Sequence, residues 1–471
     1  MTLQILPAHS EVTGSDLPDI GDSSGSLISP TQEMELGEEF MRSVRAQATL
    51  ITDPDIEGYI SQLGARLVAN SDAPAYPFTF FVVDNPEINA FAGPGGYIGV
   101  HTGLILAAEN ESELAGVMAH EIAHVTQRHL LRAYESANQM SLPTAAGMIA
   151  AILLGIAGSN PEAGIAAMSA IQGASIQQQL NFTRANEREA DRIGIQTLAH
   201  SGIDPYGMPT FFERLQQSTR LYGNNYPEFL LTHPVTSDRI AESMARAESF
   251  GHGKEVDTRD FQLIRARIRA LGAENPPEVL KYFQAAAKKP DAGPATRYGL
   301  ALALWRNTDY SAAMKQLQAL LDKDPDRKIY RSTLARLELD SGQTDKALKL
   351  YEDTLKLYPG DLVVGQYYTS ALIQAGKAAE AREQAMRMLR DKRARNAEIY
   401  ELWAKAASIA GPAWETNVAS AEAYYLYGNL HFAIDQLNKA LAYKGLSDYE
   451  QARIEARLKE FKQMLKNREK Q

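Results

Sequence analysis

The chain has no cysteine in its 471 residues. Disulfides and thiolate-held metals are thereby excluded, so any metal must be bound by histidine and carboxylate groups. The redox compartment is left open. Long apolar runs are also missing: no stretch reaches the roughly 18 residues of a membrane-spanning helix. The nearest, Ala145–Gly158, is short, carries glycines and is followed by Asn160-Pro161. With the small-residue stretch Gly164–Ile171, it reads as a pair of apolar helices. Burial in a core is the plainer role; a lid over a site, or peripheral contact with lipid or substrate, is the alternative. Positive charge is in the minority, 48 Lys and Arg against 58 Asp and Glu, for a net charge of −10. That balance argues against non-specific binding to nucleic acid, and the local run Lys392-Arg393-Ala394-Arg395 reads as a solvated helix end. Residues 1–8 lack the basic and apolar regions of a signal peptide, and residues 9–33, rich in Ser, Gly, Asp and Pro, read as a disordered tail.

What is present centres on His120-Glu121-Ile122-Ala123-His124, an H-E-x-x-H motif. Histidines four apart lie on one face of a helix, so both imidazoles can reach a single Zn²⁺. The glutamate beside the first can take a proton from water that the metal acidifies. Leu114, Val117, Met118, Ile122 and Val125 recur at helical spacing, which predicts a helix over residues 112–134 with Ser112 as its N-cap. The bland alternative is a buried helix with two incidental histidines. His129 stands nine positions after His120. At about 100° per residue a continuous helix points it the opposite way, as a surface or structural histidine and not a ligand.

A catalytic zinc site has three protein ligands and leaves one position for water. Residues 181–197 supply the best candidate third ligand, Glu187, in a helical pattern that runs through Ile193 and Ile195. Asp191 falls one turn later on the same face, where it can accept the second ring N–H of a ligating histidine and fix its tautomer. Glu189 competes with Glu187, but the two point about 200° apart, so only one can face the metal. Taken alone, Arg184, Glu187, Arg188 and Asp191 read equally as salt bridges on a solvated helix.

His120–His124 followed by Glu187, Ala190 and Asp191 resembles the HtpX-like zinc peptidases, the group that includes the CAAX-processing proteases. Asn89-Ala90-Phe91-Ala92 with Pro94-Gly95-Gly96-Tyr97-Ile98, and Thr232-His233-Pro234 with Arg239-Ile240, resemble the same group. The resemblance implies one Zn²⁺ per chain on His120, His124 and Glu187, with Asp191 and Arg239 supporting the ligands. It also implies a place for His233 near the metal. His233 is then either a catalytic donor to the oxyanion opposite Glu121 or a fourth zinc ligand that holds the enzyme off. Phe78–Val83 reads as a strand ended by Asp84-Asn85-Pro86, Gly93-Pro94-Gly95-Gly96 as a turn and Tyr97–Val100 as a short strand. A strand edge there can bind a peptide by strand addition, although a plain hairpin turn explains the same glycines.

The second half is a repeat array. Ala313, Ala347 and Ala381 stand at steps of 34 residues, as do Gly342 and Gly376, Leu317 and Tyr351, and Pro325 and Pro359. This is the tetratricopeptide (TPR) period, in which small residues let paired helices pack closely and Pro ends the second helix. The third repeat has Arg393 in place of the closing Pro, and the next match, Gly428 to Ala433, comes about half a repeat late. An extra helix or a loop near Gly411-Pro412 is expected, followed by a capping helix over residues 450–469. Such an array binds proteins and carries no chemistry.

The expected fold is mainly α with a small β-sheet: a zincin-type metallopeptidase domain followed by an α-helical TPR solenoid. The boundaries expected are a tail over 1–33, the peptidase over 34–255, a linker helix over 256–275 and repeats over 276–471. The expected function is zinc-dependent endopeptidase, with Glu121 and His233 catalytic. The alternative is a TPR chaperone or scaffold with a structural or latent zinc site. The resemblance further implies a periplasmic protein that meets misfolded or assembling outer-membrane β-barrel proteins and their assembly complex.

Overall fold

The computed structural model describes residues 29–72, 78–130, 176–222, 227–253 and 259–468. The apolar stretches over residues 145–171 lie outside them. The first helix, α1 (Pro30–Gln47), begins four residues before the expected domain boundary because Ser29 and Gln32 form a reciprocal capping box and Pro30 sits in the first turn. Helix α2 (Pro54–Val68) starts the same way, with Asp53 accepting from the backbone of Asp55 and Ile56.

Three short strands follow: β1 (Thr79–Val83), β2 (Ala90–Ala92) and β3 (Tyr97–His101). Their order is β1-β3-β2, with β3 parallel to β1 and antiparallel to β2. The glycine turn is a single 3₁₀ turn over Pro94–Gly96, with Gly95 at φ 71°. Gly99 is required where it stands, since a Cβ there would lie 2.4 Å from the Phe91 ring. β2 is thus an edge strand beside the H-E-x-x-H helix.

Helix α3 (Thr102–Ala107) leads into α4 (Glu111–Thr126), which carries the motif. Its N-cap is Asn110, whose side chain accepts from the Glu113 N–H at 3.0 Å, not Ser112 as expected. Leu114, Val117, Met118 and Ile122 are fully buried, as suits a helix at the centre of its domain. Against it pack α5 (Ile176–His200) and α6 (Gly207–Tyr222), while α7 (Glu228–Thr232) brings Phe229 to the His120 ring and α8 (Ser237–Phe250) packs on α5 and α6. Gly194 lets α5 approach closely: a Cβ there would stand 3.1 Å from the backbone nitrogen of His120. This close approach sets Glu187 and Asp191, on the same face of α5, opposite His120.

The expected linker helix is instead a core element. In α9 (Arg259–Leu271), Phe261, Leu263, Ile264 and Ile268 are buried in one apolar cluster with Ile56 of α2, Leu114 of α4 and Phe212 of α6. The same cluster continues through α10 (Pro276–Ala287), α11 (Pro294–Arg306), α12 (Tyr310–Leu321) and α13 (Lys328–Asp340). Apolar residues recur along more than one side of α9, so both halves of the chain bury against it. Arg267 is buried there too. It donates to both carboxylate oxygens of Asp53 at 2.8 and 2.7 Å, and to the hydroxyls of Tyr298 and Tyr367.

The array proceeds through α14 (Thr344–Leu357), α15 (Leu362–Gln374), α16 (Ala378–Met388), α17 (Ala397–Ala410), α18 (Ala413–Leu426), α19 (Leu430–Leu441) and α20 (Asp448–Arg468). Ala313, Ala347 and Ala381 are all fully buried between paired helices. Gly342, Gly376 and Gly428 take the left-handed conformation in the connecting turns, and Thr308 holds the equivalent position one period earlier at φ 61°. Gly411-Pro412 joins two full helices, so the inserted half-repeat is a helix. Apolar residues Ile454, Leu458 and Phe461 of α20 close the last cluster. Near this end the array touches α1, where Arg42 donates to the carbonyl of Gly428 at 3.2 Å and Arg45 donates to that of Leu426.

Candidate metal centre and active site

The H-E-x-x-H spacing on α4 brings the Nε2 atoms of His120 and His124 to 3.0 Å from each other. From α5, Glu187 reaches both, with carboxylate oxygens 3.4 Å from each Nε2. From the loop after α7, His233 enters the same group, its Nδ1 3.3 Å from His120 Nε2 and 3.1 Å from Glu187 Oε1. One donor atom from each of these four residues lies within 4.8 Å of all the others. His120, Glu187 and Glu121 are buried, and His124 and His233 are nearly so.

The donor set fits a tetrahedral transition metal. Nitrogen and oxygen donors at about 2.0–2.1 Å from Zn²⁺ stand roughly 3.3–3.4 Å apart, close to the separations found here. The charge balance fits as well. Glu121, Glu187 and Asp191 bring three buried carboxylates together, and among the described residues the permanent cation paired with Glu187 and Asp191 is Arg239. Burial alone would lower the His120 pKa, but Asp191 and Glu187 against its two ring nitrogens push it up to about 10. Those carboxylates thus demand positive charge at the point where a metal cation would sit. Against the pull of burial, His233 and His120 hold Glu187 well below the usual carboxylate range. His124, surrounded by protein, is driven well below the ordinary histidine value. A neutral imidazole is the form that ligates a metal.

Supporting contacts extend outward. The Nδ1 of His120 lies 3.0 Å from Asp191 Oδ1. Asp191 is held by Arg239 of α8 through two contacts, and the same guanidinium reaches Glu187 Oε2 at 2.9 Å and the Pro234 carbonyl at 2.8 Å. Arg239 therefore ties α5, α8 and the His233 loop together.

Glu121 faces the open side. Burial raises its pKa, and the nearby His233 and His120 partly offset the rise. Its Oε1 is 3.6 Å from His233 Nε2. A cleft of about 160 Å³ opens beside it, lined by Phe91, Ala92, Gly93, His124, Arg128 and His233. The edge strand β2 therefore borders the cleft.

His129 lies elsewhere than expected. α4 stops at Thr126, and the chain turns through Gln127 and Arg128, the latter at φ 55°. His129 is thereby folded back against His124, with its Nδ1 2.9 Å from His124 Nδ1. It is buried and faces the motif, not away from it. Glu189 points away from the donor cluster, as the helical angle predicts, and meets the far side of His129 at 3.1 Å. No glycine marks the turn at residues 127–128, so periodicity carries the helix straight past it.

This fold and donor set define a metallopeptidase with a helical-repeat second half. A family model described as peptidase family M48 matches residues 54–247, and one described as a tetratricopeptide repeat matches residues 338–406. The chain is 40% identical over 456 residues to the putative beta-barrel assembly-enhancing protease of Vibrio cholerae, covering 96% of this chain and 93% of that one. It is 35% identical over 463 residues to the beta-barrel assembly-enhancing protease of Escherichia coli K12, covering 98% and 94%. A mitochondrial metalloendopeptidase of Danio rerio is 31% identical over 212 residues, covering 44% of this chain and 43% of its own. The chain belongs to the family of the beta-barrel assembly-enhancing proteases.

Proposed function

We propose that this protein is a zinc-dependent endopeptidase that acts in the assembly and quality control of outer-membrane β-barrel proteins in the periplasm. On this reading the repeats recruit clients or the assembly machinery. The observation that carries the proposal is the convergence of His120, His124, Glu187 and His233 beside buried Glu121 and an edge strand. The names of the relatives supply the client class.

His120, His124 and Glu187 would hold Zn²⁺, with Asp191 and Arg239 fixing their orientation. When bound, the ion supplies Lewis acidity, acidifying water and polarising the scissile carbonyl. Glu121 receives a proton at its carboxylate and returns it to the leaving amine, a task suited to a carboxyl whose pKa is raised by burial. The outer edge of β2, the last strand of the described sheet, binds the substrate backbone as an added strand, which makes recognition tolerant of sequence. His233 occupies the fourth donor position, and the proposal assigns it to holding the resting enzyme latent. Its closeness to Glu187 and His120 supports that role over one as an oxyanion donor.

A comparison of the wild type with Glu121→Gln tests the proposal. Zinc content should be equal, near one per chain, while cleavage of a misfolded barrel client should fall by about 10²–10⁴-fold in the variant. Equal degradation by both forms would refute the enzymatic reading. Client assembly that survives the substitution would assign a separate scaffold role to the repeats.

A further inference from the structure

Behind the donor cluster, contacts run from His124 away from the other ligands to His129 and then to Glu189. We propose that His129 and Glu189 form a relay that locks His124 in its metal-binding tautomer, which makes His129 a positioning residue of the peptidase. The proposal rests on reading His120, His124 and Glu187 as the ligand set.

Metal ligation by His124 sets the direction of these contacts. Ligation through His124 Nε2 needs a lone pair there, so the ring proton must sit on Nδ1. That Nδ1–H points at His129 Nδ1, 2.9 Å away. His129 must then accept at Nδ1 and carry its own proton on Nε2. The Nε2 lies 3.1 Å from Glu189 Oε2, and an ionised carboxylate only accepts. Glu189 thus dictates the tautomer of His129, and His129 dictates that of His124. On the other ligand, Asp191 Oδ1 stands 3.0 Å from His120 Nδ1. One histidine has a carboxylate directly beside its Nδ1, the other has an intervening imidazole.

The backbone points to the same role. Arg128 adopts φ 55°, a conformation uncommon for a residue with a side chain. The turn it makes brings His129 back onto His124, where a continued helix would carry it away. Such a strained position next to a functional cluster persists only where the surrounding structure holds it. His129 is 4% exposed, so solvent does not compete for its nitrogens.

The test uses the full chain, with zinc affinity measured by competition against a chromophoric chelator. His129→Phe keeps a ring but removes the acceptor, and should weaken zinc binding by about 10–100-fold. His129→Gln restores an acceptor oxygen and should recover most of the loss. Long-range ¹⁵N spectra of the zinc-loaded wild type should show Nδ1–H at His124 and Nε2–H at His129. Glu189→Leu should disturb the His129 tautomer without touching the packing of α4, which keeps the proposal testable if the Phe variant does not fold. Wild-type affinity in His129→Phe, equal losses in the Phe and Gln variants, or the opposite tautomers would overturn it. A wild-type protein that binds no zinc would instead overturn the ligand reading beneath it.

Discussion

Arg239 donates to both carboxylate oxygens of Asp191, at 2.7 and 2.8 Å, from a separate helix. Two parallel N–H···O contacts fix the carboxylate in one plane, and that plane aims Oδ1 at His120. Lysine has the charge but not the fork. Arg239→Lys should therefore weaken zinc affinity by about 10–100-fold while the fold is kept. Chelator competition alongside far-UV circular dichroism measures the two effects separately.

Glu121→Gln removes the group assigned to proton transfer and leaves every donor atom of the cluster in place. Cleavage of an unfolded protein substrate should fall by about 10²–10⁴-fold, the usual range for a general acid–base. Zinc should still bind, since Glu121 gives no donor atom to the cluster of His120, His124, Glu187 and His233. A peptidase assay run on samples of known zinc content decides the matter.

His233→Ala opens the fourth donor position. If His233 holds the enzyme latent, proteolysis should rise in the variant, with some loss of zinc affinity. A fall in proteolysis would assign His233 to the oxyanion instead. Initial rates at saturating zinc distinguish the two.

Arg267 is the buried partner of Asp53 and Asp55 at the junction of α2 and α9, with its side chain 1% exposed. Arg267→Met strands both carboxylates and should destabilise the protein by about 3–5 kcal/mol. Because the apolar core is shared, the loss should appear in the unfolding of both halves. Denaturant titration followed by probes in each half checks this.

Glu57 on α2 gives a dependence on pH. Burial, with the charges of Glu398 and Asp53 adding to it and Arg45 opposing, raises its pKa from 4.5 to about 8. The native state therefore retains a proton that the unfolded chain has lost. Stability must fall as pH rises between those two values, and must be insensitive to this group below 4.5. Glu57→Gln should flatten that slope and stabilise the protein at pH 8 by on the order of 1–2 kcal/mol, discounted for partial exposure. Thermal melts across the range provide the comparison.

Much of this architecture is written in local patterns. The four-residue spacing of His120 and His124 needs only helical geometry, and Ala313, Ala347 and Ala381 reveal the repeat because each solves the same packing problem. Glu187 is separable from Glu189 by angle alone. The misses share a physical cause. His129 depends on a left-handed turn at Arg128 that no glycine signals. The role of α9 depends on Arg267 finding Asp53, which is 214 positions away in sequence. Local periodicity reports that a helix has an apolar face but not which neighbours cover it.

The core shared between peptidase and repeats has a mechanical consequence. A flexible tether would let a captured chain explore a volume whose radius grows as the square root of linker length. Here α9 is built into both halves, so the array is held rigidly to the peptidase. On the proposed function, a client held on the repeats is presented from a fixed distance, and only the part of it lying one such length from its point of attachment comes within reach of Glu121.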